Sequence, residues 1–266
     1  MNILDTIIEN KKREVQEAMG RHSISELESM PAFARETYSL SNFLSDETKT
    51  GIIAEFKRRS PSKGVINNWS GVSEVTSAYA QNDASGVSVL TDEKYFGGNL
   101  SDLQSARMNT VPLLRKDFII DEYQVIESKA FGADVILLIA ACLSRHKAEA
   151  LSSLAKSLGL EVLLEVHEEK ELEWYGKDID MIGVNNRNLA TFGVNIQTSF
   201  DLAQKMPGSV VAVSESGISN VETIVSLKQA GFKGFLIGEN FMREKDPGAA
   251  AADFVRKLAE LTPIKD

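Results

Sequence analysis

Cysteine is nearly absent from this chain: Cys142 is the only one among 266 residues. That excludes an intrachain disulfide and suits a reducing compartment, so a cytoplasmic location is expected. Histidine is scarce as well. His22, His146 and His167 share no ligand spacing, whereas a zinc site needs three or four convergent ligands. A metal site is not expected. No stretch approaches the roughly 18 uninterrupted apolar residues of a membrane span. Asp5 and Glu9 break any leader-like apolar run near the start. Positive charge is in deficit: 29 Lys and Arg against 38 Asp and Glu give a net charge of −9. This balance argues against nucleic acid or an anionic membrane as the main partner but permits a local basic pocket. No low-complexity segment or evident linker stands out, and a fused second domain is not expected.

The chain is 43% hydrophobic, enough for one large core, and about 250 residues can form a single α/β barrel. Residues 1–19 place Ile3, Leu4, Ile7, Ile8 and Val15 at helical spacing with charges between them, which predicts a surface helix packed on a core. Residues 20–48 are polar with short apolar clusters and read as further helix and connection. From residue 51 onward, short apolar runs alternate with amphipathic stretches. The runs cover 51–57, 86–91, 111–116, 134–140, 161–166, 181–185, 210–214 and 234–238. Near-continuous apolar runs indicate parallel strands buried on both faces. Eight strand–helix units predict a closed (β/α)8 barrel over 49–266, with 1–48 as an N-terminal helical extension of the same domain. An open doubly wound sheet is the alternative. Gly132, Gly159 and Gly231, each between a helical stretch and a strand, are expected to supply left-handed helix ends.

Catalytic groups of such barrels sit at the carboxy ends of strands. Five of the eight ends here carry polar or charged residues. The first contains Glu55 and Lys57, two apart and therefore pointing the same way. The third contains Lys116, the fifth Glu165, the sixth Asn185 and Arg187, and the seventh Glu215. One charge at a strand end is an ordinary surface residue. Several converging in one mouth need a reason, because buried charge is costly unless paired. Mixed acids and bases there can be tuned for proton transfer. Ser216-Gly217 follows strand seven and Gly238-Glu239 follows strand eight. Those two loops form the usual phosphate grip of such barrels, using backbone N–H groups and a short helix N-terminus. The first loop holds Lys57, Arg58, Arg59 and Lys63 within seven residues. At the mouth of an acidic protein it reads as a surface that steers an anionic small molecule.

Six segments carry a family resemblance: Ala-Glu-Phe-Lys-Arg-Arg-Ser-Pro-Ser (54–62), Leu-Leu-Arg-Lys-Asp-Phe (113–118), Leu-Leu-Glu-Val-His (163–167), Gly-Val-Asn-Asn-Arg-Asn-Leu (183–189), Ser-Glu-Ser-Gly-Ile (214–218) and Leu-Ile-Gly-Glu (236–239). In this order, over essentially the whole chain, they resemble indole-3-glycerol phosphate synthase. The resemblance implies ring closure of 1-(2-carboxyphenylamino)-1-deoxyribulose 5-phosphate to an indole, with loss of CO2 and water and without a metal or organic cofactor, in tryptophan biosynthesis. It implies that Lys116 is the principal general acid. Glu165 and the Glu55/Lys57 pair would share the remaining proton transfers, in a division the sequence leaves open. Asn185 and Arg187 would orient the anilino and carboxylate end, Glu215 would be a further carboxylate of the site, and Ser60 would lie near the ligand. Ser216, Gly217, Gly238 and Glu239 would hold the phosphate. Many relatives have serine where Glu239 stands, so its carboxylate is expected to turn away from the phosphate. A monomer is expected, with association with neighbouring tryptophan-pathway enzymes left open.

Other residues are read more plainly. His167 is expected to be a strand-end residue and Cys142 a small buried one. Trp69, Tyr95 and Phe96 either stack on an aromatic substrate or cover the rim. Three alternatives stand beside the main reading. One is an aldolase forming a Schiff base on Lys116 or Lys57. Another is phosphoribosylanthranilate isomerase, for which a cysteine would be expected at the end of the first strand. The third is a non-catalytic sugar-phosphate-binding barrel.

Overall fold

The eight apolar runs become eight parallel strands in the computed structural model, which describes residues 3–189 and 191–261. They are β1 (Ile52–Phe56), β2 (Gly86–Leu90), β3 (Leu113–Lys116), β4 (Val135–Ile139), β5 (Glu161–Val166), β6 (Met181–Asn185), β7 (Val211–Glu215) and β8 (Gly234–Ile237). Each strand pairs with the next in sequence, and β8 pairs with β1, so the sheet closes. Closure removes the open doubly wound alternative. Boundaries differ from the expected runs by no more than two residues: β3 starts two residues later than its run, and β7 is shifted on by one, which makes Glu215 its last residue, at the strand end where it was expected.

The pleat sorts each strand into two faces. Ile52, Ala54 and Phe56 of β1, Val162, Leu164 and Val166 of β5, and Phe235 and Ile237 of β8 pack outward with the surrounding helices. Ile53, Leu114, Leu163 and Val213 point inward and share a second apolar cluster. These four come one from each odd-numbered strand, the way a layer of barrel-interior side chains is built. Two residues further along the same four strands stand Glu55, Lys116, Glu165 and Glu215. An apolar layer is thus followed, toward the carboxy end, by a charged one. Gly132, Gly159 and Gly231 take φ of 89°, 75° and 99°, the left-handed helix ends expected.

Three helices precede β1: α1 (Ile3–Arg21), α2 (Ile24–Glu28) and α3 (Leu40–Ser45). Ser23 starts α2 by accepting from the Glu26 N–H, while the Glu26 carboxylate accepts from the Ser23 N–H. Leu40 and Leu44 of α3 lie against the starts of β2 and β8, where Gly86 and Gly234 leave room for them. They close the amino end of the barrel.

Helix α1 is more than a surface helix. Most of its charges face outward, but one of them lies in the interior. Lys11 is buried, with its ammonium 3.0 Å from Asp92, 2.8 Å from Asp117 and 2.6 Å from Glu14. Asp117 is also 3.2 Å from Arg115. Burial alone would raise the Asp117 pKa, but Lys11 and Arg115 outweigh it and hold the carboxyl below its usual range. The cluster joins α1 to the residues that follow β2 and β3. Lys11→Met leaves the buried Asp92 without its cation and Asp117 with Arg115 alone. It should destabilise the fold by about 3–5 kcal/mol, the range for breaking a buried ion pair. Denaturant unfolding checks this. A loss under about 1 kcal/mol, as for an exposed pair, would contradict it.

Candidate active site

Charge at the end of an inward-facing strand position has only the other strand ends as partners. A cavity of about 610 Å³ opens there. It is lined by Glu55, Lys57, Ser60, Lys116, Glu165, Asn185, Arg187, Glu215, Ser216, Gly217, Gly238 and Glu239. Every candidate residue from the sequence therefore faces one space. Its apolar wall comes from Leu137, Ile139, Phe96 and Phe118, together with Ile3, Leu4 and Ile7 of α1. Sequence reasoning missed Phe118 and the α1 residues, because an apolar residue facing a cavity has the same pattern as one facing a core.

Lys116 is the centre of the charged layer. Its ammonium donates to Glu165 at 3.1 Å and lies 3.5 Å from Glu215. Burial works to lower its pKa, but the carboxylates of Glu165, Glu215 and Glu55 overcome that and hold it above the ordinary lysine range. Glu165 is buried too. Desolvation would raise its pKa, but Lys116, His167 and the Asn185 side chain outweigh this and keep the carboxylate below its usual range. Glu215 goes the other way. Burial, with repulsion from Glu165 and Glu55, overcomes the pull of Lys116 and pushes its carboxyl up to about 8. Its Oε1 is buried without a hydrogen-bond partner. Two carboxyl groups flanking one lysine are thus driven apart in protonation, the pattern that separates an acid from a base. On β1 and just beyond it, Lys57 donates to Glu55 at 2.7 Å.

Two glycines make room for these carboxylates. A Cβ on Gly183 would come within 2.2 Å of Glu215 Oε1, and one on Gly238 within 2.4 Å of Glu55 Oε1. Gly183 lies on β6 between Glu165 and Val213 in the sheet register. Gly183→Ala is expected to push Glu215 from its seat and lower kcat while the barrel stays folded. Steady-state kinetics with a thermal-unfolding control measures this, and an unchanged kcat would remove Glu215 from the working site.

At the opposite rim, Ser216 and Gly217 take φ of +66° and +83° in succession. Left-handed backbone at a serine costs energy and concentrates at functional sites. A Cβ on Gly217 would meet Val194 at 2.5 Å. The helix Glu239–Met242 starts after Gly238 with no side chain capping it. The Glu239 carboxylate lies 3.6 Å from Arg187 and 3.7 Å from Lys63, so it offsets two cations at the rim. The Asn185 side-chain Oδ1 accepts from the Arg187 backbone N–H at 3.0 Å, and the Arg187 guanidinium donates to the Phe192 backbone carbonyl at 3.2 Å.

The steering role read into the first loop is only half right. Lys57 and Lys63 line the cavity. Arg58, however, pairs with both oxygens of Asp102 and donates to the Gly97 carbonyl at 3.0 Å, while Arg59 donates to the Glu93 carbonyl at 3.1 Å. Those two arginines fasten the loop. Phe96 lines the cavity; Trp69 is 58% exposed and donates to the Lys245 carbonyl at 3.4 Å. Cys142 is half-buried, and burial pushes its thiol up. His167 is more than a strand-end residue: its ring stands 3.4 Å from Glu165 and 3.6 Å from Glu171. Among the described residues, no group of three or more His, Cys, Asp and Glu is placed to hold a metal ion, and no helix is long and apolar enough to cross a membrane.

Fold and site together define a (β/α)8-barrel enzyme equipped for acid–base chemistry on an anionic small molecule. The family model for indole-3-glycerol phosphate synthase matches residues 4–254. An indole-3-glycerol phosphate synthase of Bacteroides thetaiotaomicron is 47% identical over 258 residues, covering 97% of this chain and 99% of that protein. One of Variovorax paradoxus is 42% identical, covering 94% and 98%. A solved structure of thiamine phosphate pyrophosphorylase from Pyrococcus furiosus superposes with a TM-score of 0.60 at 17% identity, covering 84% of this chain and 98% of that one. That likeness concerns the fold alone. The chain belongs to the indole-3-glycerol phosphate synthase family. It is accordingly a carboxy-lyase of tryptophan biosynthesis that acts on a phosphorylated small molecule.

Proposed function

We propose that this cavity closes 1-(2-carboxyphenylamino)-1-deoxyribulose 5-phosphate to indole-3-glycerol phosphate, releasing CO2 and water, with the charged layer supplying the proton transfers. The observation that carries the reading is the Lys116 ammonium, held protonated among three carboxyl groups inside the cavity. The phosphate lies against the backbone of Ser216-Gly217 and Gly238-Glu239, with Ser60 nearby. Asn185 and Arg187 orient the anilino and carboxylate end. Lys116 gives a proton to the ketone oxygen as the ring carbon bearing the carboxylate attacks. Departure of CO2 returns the electron pair to the ring. Lys57 then protonates the leaving hydroxyl, and its neighbour Glu55 takes a proton from the ring-side methylene. Glu165 holds Lys116 in place and returns a proton to it. Glu215, protonated near neutrality, is a second donor beside the reacting oxygen.

A lysine held as ammonium is a poor nucleophile, which weighs against a Schiff-base aldolase using Lys116. We also read residues 1–48 as an extension integral to the barrel domain 49–266, because α1 supplies part of the cavity wall. From the lone Cys142, which suits a reducing compartment, we also propose that the enzyme works in the cytoplasm. The acid–base reading is tested by pH dependence. A Glu215 that works as a neutral acid is competent below its pKa, so kcat should fall as pH rises through about 8. Glu215→Gln should lower kcat and lose that alkaline limb. A limb that persists unchanged in the variant would assign it elsewhere.

A further inference from the structure

The reaction proposed above has a proton deficit. The ketone oxygen leaves as water, so it takes up two protons. The methylene carbon returns one. The substrate carboxylate departs as neutral CO2, leaving its electron pair in the ring. One proton must therefore come from solvent in every turnover. A supply that does not cross the filled cavity would let the buried Lys116–Glu165 pair be reloaded before product leaves.

His167 has the geometry for that supply. It follows Glu165 by two residues on the same strand side, yet it is not among the residues lining the cavity. Its Nε2 lies 3.4 Å from Glu165 Oε1, and its Nδ1 lies 3.6 Å from Glu171 Oε2. Both ring nitrogens are buried, and neither has a hydrogen-bond partner. The two oxygens of Glu165 are thereby divided: Oε2 accepts from Lys116 at 3.1 Å, and Oε1 faces the imidazole. Glu171 is fixed by accepting from the His167 backbone N–H at 2.6 Å, in the short helix Glu169–Trp174. Glu165, Glu171 and Glu215 all favour the charged ring, against burial that disfavours it, and its pKa is raised. Lys116 stands beyond Glu165, and the Cys142 thiol is near both Glu165 and Glu171.

We infer that Glu171, His167 and Glu165 form a proton relay that reloads Lys116 from solvent during turnover. This rests on the acid–base assignment of Lys116 and Glu165. In the relay step the imidazolium gives its Nε2 proton to Glu165 Oε1 and becomes neutral. Turning the ring brings the bare nitrogen to Glu171, which passes on a proton taken from water and restores the imidazolium. No other co-reactant is needed. His167 never touches substrate; it acts through Glu165.

The test is steady-state kinetics of His167→Asn and Glu171→Gln across pH, with and without added imidazole. The relay predicts that His167→Asn lowers kcat about tenfold, less than the ~10²–10⁴-fold for losing a direct acid or base. KM should stay unchanged, and free imidazole should restore the rate. Glu171→Gln should lower kcat in the same direction and move the pH profile. Native kcat in both variants overturns the relay, as does a loss in His167→Asn that imidazole leaves untouched. If His167→Asn does not fold, Glu171→Gln decides alone. Glu165→Gln is run alongside: full turnover there would overturn the underlying assignment, whereas silence there with normal His167→Asn activity would overturn only the relay.

Discussion

Replacing Lys116 with methionine should abolish most turnover while leaving substrate binding nearly intact. Methionine keeps the length of the side chain but has no proton to give. Losing a positioned general acid costs on the order of 10²–10⁴-fold, equivalent to roughly 3–5 kcal/mol of transition-state stabilisation at 1.36 kcal/mol per tenfold. The loops proposed to hold the phosphate and the Asn185/Arg187 pair proposed to orient the other end lie on or after other strands and should stay in place. The loss should therefore fall equally on kcat and kcat/KM, as expected when an interaction made only in the transition state is removed. The variant also leaves Glu165 and Glu215 without their shared cation. One of them should stay protonated over a wider pH range, so its thermal stability has to be measured together with its rate. A folded Lys116→Met enzyme with native kcat would remove Lys116 from the mechanism.

Glu165→Gln should come close to this in size. Glutamine fills the same volume and can still hydrogen-bond to Asn185, but it can neither take nor return a proton. Two shifts should accompany the lost rate. Lys116 loses its nearest anion, so its pKa should fall. Glu215 loses one of the repulsions that raise its own, so its carboxyl should ionise more readily. If Glu215 works in its neutral form, as proposed, the alkaline limb of any residual activity should move to lower pH. Kinetics as a function of pH reads both effects. A variant with native kcat and an unmoved limb would show that Glu165 is neither partner nor repelling neighbour in the working enzyme.

Why the cluster could be read from the sequence, and other features could not, follows from the range of the interactions. A barrel strand is short and two-faced, so Glu55, Lys116, Glu165 and Glu215 could be placed at a mouth from local pattern alone. Each stands two residues after an inward apolar residue, Ile53, Leu114, Leu163 and Val213. Lys11 had no such marker. A lysine between apolar residues on a helix has the pattern of a solvated face, and only the fold brings Asp92 and Asp117 to it. Arg58 lies in a basic run, but its partner Asp102 is 44 residues away. Gly183 sits in a strand like any small residue until the Glu215 carboxylate occupies the missing Cβ. His167 gained its meaning from Glu171, set by a short helix whose position the strand pattern does not specify. Local periodicity thus located the acids and bases, while the groups that clear space for them and tie them to the rest of the chain depend on contacts distant in sequence.

In the proposed mechanism this charged layer carries out one ring closure. The most direct test is to give the purified protein 1-(2-carboxyphenylamino)-1-deoxyribulose 5-phosphate and follow indole fluorescence, CO2 release and proton uptake together. All three should appear in equal amounts, with Lys116→Met silent under the same conditions. A folded wild-type protein that binds the compound but forms no indole would contradict it.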